Sequence, residues 1–124
     1  MTVGTLQKES VMHLITAYIR PEKLGDVKKK LVERSVFKIS VTNALGCGDE
    51  RTYHEQYRGV DIEVDLHKRV RLEIAVNEAF VQPTIDAIIE GARTGAIGDG
   101  KIFVTPLEDC IRIRTGERGG DAIG

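Results

Sequence analysis

The sequence predicts an α+β domain of the split βαβ kind, βαββαβ, in which one sheet carries two helices on a single face. Three observations point to it. Hydrophobic periodicity alternates in the order strand, helix, strand, strand, helix, strand. Both helical segments have one apolar side and one charged side. The chain is 124 residues long with 41% hydrophobic and 30% charged residues, enough for one modest core and too little for two domains.

Residues 1–10 are polar and without periodicity and read as an N-terminal extension. Val11 to Ile19 is apolar and β-branched on both parities, as in a strand covered on both faces. Arg20-Pro21-Glu22 opens a helix, with Pro21 at a first-turn position and Glu22 at the positive end of the dipole. Leu24, Val27, Leu31 and Val32 share its apolar side. A second strand, Val36 to Leu45, ends at the Gly46-Cys47-Gly48 punctuation, and the polar stretch from Asp49 to Gly59 follows. From Val60 to Val76 the even positions are apolar except Lys68, and the odd ones are largely charged. This predicts one strand of seventeen residues, long enough to project beyond its sheet.

A second helix is expected over Glu78 to Arg93, with Val81, Ile85, Ile88, Ile89 and Ala92 facing inward and Pro83 tolerated near its start. Two short strands, Ile102 to Val104 and Ile111 to Arg114, complete the sheet, and residues 115–124 read as a flexible glycine-rich tail. One sheet face is left without cover, and self-association is the economical way to bury it.

Lys and Arg number 18 against 19 Asp and Glu, a formal net charge of -1. No global field attracts nucleic acid or an anionic membrane, and no apolar run is long enough to span a bilayer. The expectation is a soluble, cytoplasmic protein that neither binds nucleic acid nor inserts into a membrane. Cys47 and Cys110 form no disulfide framework and lack the spacing of a zinc site. His54 with Asp49, Glu50 and Glu55 is too irregularly spaced to specify a metal.

Gly95 to Lys101 satisfies the first seven positions of the phosphate-loop pattern, G-x-x-x-x-G-K. Ile102 stands where a hydroxyl would hold magnesium, and the segment runs from helix to strand, the reverse of that motif's context, so a triphosphatase fold is excluded. The physical content survives. Gly95, Gly98 and Gly100 let backbone N–H groups converge on an anion, and Lys101 adds a charge. Arg112 and Arg114, two apart on the expected last strand, would project from one face as a two-pronged clamp for phosphate. The alternatives are an ordinary glycine turn and a solvated pair of surface arginines.

The segments Thr94 to Val104 (TGAIGDGKIFV) and Ile111 to Glu117 (IRIRTGE), with Tyr57-Arg58-Gly59 and Arg20-Pro21, closely resemble the signature segments of the PII nitrogen-regulatory signal-transduction proteins. The resemblance extends from about Met12 to Ile123. It implies a ferredoxin-like protomer in a homotrimer, with ATP or ADP in the clefts between protomers and residues 46–65 forming a mobile loop that docks on a partner protein, a membrane transporter or a cytoplasmic enzyme. By the same resemblance Gly98, Asp99, Gly100 and Lys101 would hold the phosphates, and Arg112 and Arg114 would reach them from a neighbouring protomer. Gly46 and Gly48 would line the cleft, and Thr42 and Glu73 would lie near the nucleoside. Tyr57, Arg58 and Gly59 would meet the partner, with Arg58 at the loop tip. No catalytic residue is implied.

Four positions depart from the family pattern. Glu50 replaces a glutamine that chelates magnesium together with 2-oxoglutarate, so a carboxylate would face a dicarboxylate effector. Arg69 replaces the effector-binding lysine, which keeps the charge and alters its geometry. Ile62 and Val60 replace the tyrosine and serine that are modified in some members, which removes both modifications. The leading expectation is an adenine-nucleotide-responsive regulator in nitrogen control, with Mg2+ accompanying ATP and 2-oxoglutarate as a candidate co-effector. The alternative keeps the adenylate switch, drops 2-oxoglutarate and serves another pathway, such as transport of a metal or inorganic carbon.

Overall fold

A computed structural model describes residues 11–47, 53–57, 60–64 and 66–124. Its main sheet is antiparallel with strand order β2-β5-β1-β6, formed by β1 (Met12–Ile19), β2 (Ser40–Gly46), β5 (His67–Asn77) and β6 (Lys101–Leu107). The two long helices, α1 (Leu24–Glu33) and α2 (Val81–Ala92), pack on each other. A separate two-stranded sheet pairs β3 (Tyr53–Tyr57) with β4 (Val60–Val64), and α3 (Gly120–Ile123) lies at the C-terminus.

The alternation in β1 and β5 sorts the side chains. Ile15 lies opposite Ile74, Ala17 opposite Leu72 and Ile19 opposite Val70. These six are buried together with Val76, and Val27 and Leu31 of α1 and Ala87, Ile88 and Ala92 of α2 complete the core. Gly91 lets the helices approach closely, since a Cβ there would stand 2.7 Å from the Cα of Val27. The Arg34–Glu90 pair, 2.6 Å apart and half exposed, adds a surface contact worth about 0–1 kcal/mol. By parity, Leu14, Thr16 and Tyr18 of β1, Arg71 and Glu73 of β5 and Phe103 and Thr105 of β6 lie on the opposite face of the sheet.

Several expectations are corrected. The seventeen-residue strand is two strands in different sheets. Val60–Val64 pairs with a strand inside the stretch read as merely polar, while the even positions of His67–Asn77 serve the core as anticipated. Alternation reports which face a residue takes, not which partner its strand pairs with. The second strand starts at Ser40, after Val36 has entered the core from the preceding turn. The first helix opens with a 3-10 turn at Pro21–Lys23, and Val32 is exposed. The last sheet strand runs to Leu107 through Pro106, which an edge position permits because its missing N–H faces no partner.

Ile111 to Arg114 is not a strand. Ile111 makes one bridge to Arg118, and the Gly116 amide donates to the Arg112 carbonyl (2.7 Å), closing a turn. Gly116 takes a positive φ of 77°, so the chain reverses where an extended clamp was expected. Downstream, the glycine-rich tail contains helical α3.

Candidate functional site

The loop between α2 and β6 is organised from inside by Asp99. Its Oδ2 accepts the backbone N–H groups of Thr94 and Gly95, each at 2.8 Å. Its Oδ1 accepts the Thr94 hydroxyl at 2.5 Å and the Arg20 Nε at 3.3 Å. These donors, the Thr94 hydroxyl foremost, hold the Asp99 carboxyl far below the usual carboxylate range. Arg20 reaches the loop a second time, its Nη2 donating to the Ile97 carbonyl at 2.8 Å. Arg20 follows directly on β1, so the end of a central strand is tied to the loop.

Glycine is required by the path of this loop. Gly98 and Gly100 both take φ of 105°. Gly100 also passes so close to β1 that a Cβ would lie 1.7 Å from the Tyr18 carbonyl oxygen.

Beside the loop opens a cleft of about 610 Å³. One wall is Ala96 to Lys101, and the other is Leu45, Gly46 and Cys47 at the end of β2, with Tyr18, Arg69 and Phe103 between them. The Tyr18 and Phe103 rings meet edge to face at 6.4 Å. The Lys101 side chain makes no hydrogen bond or ion pair among the described residues, and Arg69 donates to the Lys68 carbonyl at 2.7 Å. Cys47 is an exposed thiol at the cleft wall. A glycine-formed loop, two cations and a cavity of this size make a site for an anionic small molecule.

The residues singled out in the sequence are distributed as follows. Gly46, Gly98, Asp99, Gly100 and Lys101 come together at the cleft. Thr42 and Glu73 lie on the open sheet face and do not line it. Thr42 is opposite Arg71, whose Nη2 donates to Glu73 at 2.5 Å. Arg112 and Arg114 do not line the cleft either. Arg112 donates to the Glu117 carboxylate (2.6 Å) and the Asp121 carbonyl (3.0 Å), and Arg114 is exposed. Gly48, Glu50, Arg58 and Gly59 lie outside the described residues, and Tyr57 is placed by its backbone pairing with Val60. No group of three metal-ligating side chains occurs among the described residues, and none of their helices is long and apolar enough to cross a membrane. Sequence reasoning missed Thr94 as a partner of Asp99, since a contact between side chains five residues apart leaves no local pattern.

The family model described as nitrogen regulatory protein P-II matches residues 12–117. The chain belongs to the P-II family. P-II of Azospirillum brasilense is 48% identical over 112 residues, which are 90% of this chain and all of that protein. P-II 1 of Methanothermobacter thermautotrophicus is 50% identical over 112 residues, 90% of this chain and 97% of its own. Among solved structures, Arabidopsis thaliana PII bound to citrate superposes with a TM-score of 0.74 at 37% identity, covering 91% of this chain and 92% of its own. The ATP complex of Bacillus subtilis GlnK gives 0.73 at 29% identity, covering 90% and 94%. P-II membership makes this chain a nitrogen-regulatory signal-transduction protein with an α+β, ferredoxin-like fold.

Proposed function

We propose that ATP and ADP compete for the cleft between the Gly98–Lys101 loop and the end of β2, and that the occupant is reported to a partner protein through residues 46–65. The observation that carries this reading is the shared wall. Gly46 and Cys47 line the same cleft as Gly98, Gly100 and Lys101, so an occupant touches the first residues of the docking segment. A switch needs a ligand that interacts differently with its two states, and the terminal phosphate of ATP with its Mg2+ is such a difference. The similar Bacillus subtilis GlnK has been solved as its ATP complex, which supports adenine nucleotide as the occupant.

In this reading Gly98, Gly100 and Lys101 bind the phosphates, and Glu50 helps hold magnesium that the phosphates chiefly ligate. Thr42 and Glu73, on the open sheet face, approach the nucleoside. The protein acts as a homotrimer in the cytoplasm and is not an enzyme. Two features support the trimer. The open sheet face leaves Phe103 half exposed, although α3 meets it at Asn77, and Arg112 and Arg114 stand outside their own protomer's cleft, with Arg114 exposed. Tyr57, Arg58 and Gly59 meet the partner, a membrane transporter or a cytoplasmic enzyme.

The test is calorimetric titration with ATP and magnesium, with and without saturating 2-oxoglutarate, on the native chain and on Lys101→Ala. Binding that Lys101→Ala weakens at least tenfold, and that ADP displaces, is the expected result. Absence of ATP binding by the native chain overturns the reading. Enhancement by 2-oxoglutarate makes the protein a joint carbon and nitrogen sensor, and indifference makes it an adenylate switch.

A further inference from the structure

Both oxygens of Asp99 are already engaged inside the loop. Oδ2 takes the Thr94 and Gly95 amides, and Oδ1 takes the Thr94 hydroxyl and Arg20. A carboxylate so filled has little left to offer a phosphate except its negative charge, which repels one. Arg20 offsets that charge through Nε and uses Nη2 on the Ile97 carbonyl. In a trans peptide the carbonyl and the following N–H point to opposite sides. With the Ile97 oxygen turned onto Arg20, the Gly98 N–H is turned away from it.

We propose that Arg20 and Asp99 are positioning residues for anion binding: Asp99 gathers the amides of the loop, and Arg20 fixes both Asp99 and the peptide that aims the Gly98 N–H. Neither touches the phosphates. This replaces the phosphate-holding role that the family resemblance implies for Asp99, and it rests on the reading of the cleft as a nucleotide site. The arrangement is preorganised because Arg20 extends from β1, whose core-facing residues Ile15, Ala17 and Ile19 are buried. A lysine in place of Arg20 could reach one of the two acceptors but would lack the fork that reaches both.

The test uses the full chain and the variants Arg20→Gln, Arg20→Lys and Asp99→Asn, with two readouts. In nucleotide-free protein, amide hydrogen exchange at Thr94 and Gly95 is expected to rise about tenfold or more in Arg20→Gln and Asp99→Asn, and to be partly restored in Arg20→Lys. Affinity for ATP should fall about tenfold in Arg20→Gln, because the loop must then be ordered at the moment of binding. Affinity for AMP should fall less, so the ATP-to-AMP ratio drops, a change that general destabilisation does not produce. Unchanged exchange in Arg20→Gln, or an unchanged ATP-to-AMP ratio, overturns the proposal. So does tighter ATP binding by Asp99→Asn, which would place that carboxylate against the phosphates. If the native chain binds no ATP, the nucleotide reading fails separately, and the exchange measurement still decides whether Arg20 positions the loop.

Discussion

Gly100 shows how much one missing side chain can decide. At φ 105° and with the Tyr18 carbonyl 1.7 Å from any Cβ, the position excludes alanine on two counts, strain and collision with backbone. Gly100→Ala is expected to push the loop off β1 and weaken ATP binding more than tenfold in calorimetry, as misplacement of a preorganised site does. Asp99 yields a pH prediction with a definite sign. Its carboxyl is held far below its ordinary value, about 4 in an unfolded chain, by the Thr94 hydroxyl first and then by the amides and Arg20. A depressed folded pKa means that its stabilisation is complete above the unfolded value and is lost as pH falls toward the folded one. Amide protection at Thr94 and Gly95 should therefore persist at pH 4, where ordinary carboxylates are half protonated. Loss of that protection by pH 4 would show that the Asp99 contacts do not hold in solution. The glycines of this loop were legible in the sequence as a turn that needs positive φ. The inward direction of Asp99 was not, because an acidic residue among glycines reads equally as a ligand or as a turn.

At the scale of elements, the helix pair depends on Gly91. Replacing a helical glycine by alanine ordinarily favours the helix by about 1 kcal/mol. Here the new Cβ would meet the Val27 backbone at 2.7 Å, and backbone cannot swing aside as a side chain does. Overpacking wins, and Gly91→Ala is expected to cost about 1–3 kcal/mol in urea unfolding. A stabilised variant would mean that the two helices separate easily. β1, expected to be covered on both faces, sends Ile15, Ala17 and Ile19 to the core and leaves Leu14, Thr16 and Tyr18 partly exposed on the other face, whereas the helices were readable because each buries one periodic face. The break between β4 and β5 was not, since even parity is apolar on both sides of it and pairing partners leave no mark in the periodicity. The expected last strand failed for a related reason. Ile111 to Arg114 alternates like a strand, but Gly116 turns the chain so that Arg118 returns to bridge Ile111.

For the whole molecule, a two-layer fold in a short chain leaves one sheet face with Phe103 half exposed, and α3 meets that face at Asn77. If the proposed trimer buries this face, Leu14→Glu, on the open side of central β1, is expected to convert it to monomers in sedimentation, because it places a charge in the contact. An unchanged trimer would locate the interface elsewhere. Arg112→Ala should instead weaken ATP binding about tenfold and leave the trimer intact; dissociation would show that its contacts with Glu117 and Asp121 hold the assembly. The fold class, the even-parity core face of β5, the apolar sides of the two helices and the glycine turn before β6 were legible in the chain, because periodicity and glycine placement record burial and backbone freedom locally. The inward direction of Asp99 onto Arg20 and Thr94 and the turn of Arg112 onto Glu117 were not legible there. Each of those depends on residues distant in the chain, or on a turn whose direction no periodic pattern encodes, meeting at one place.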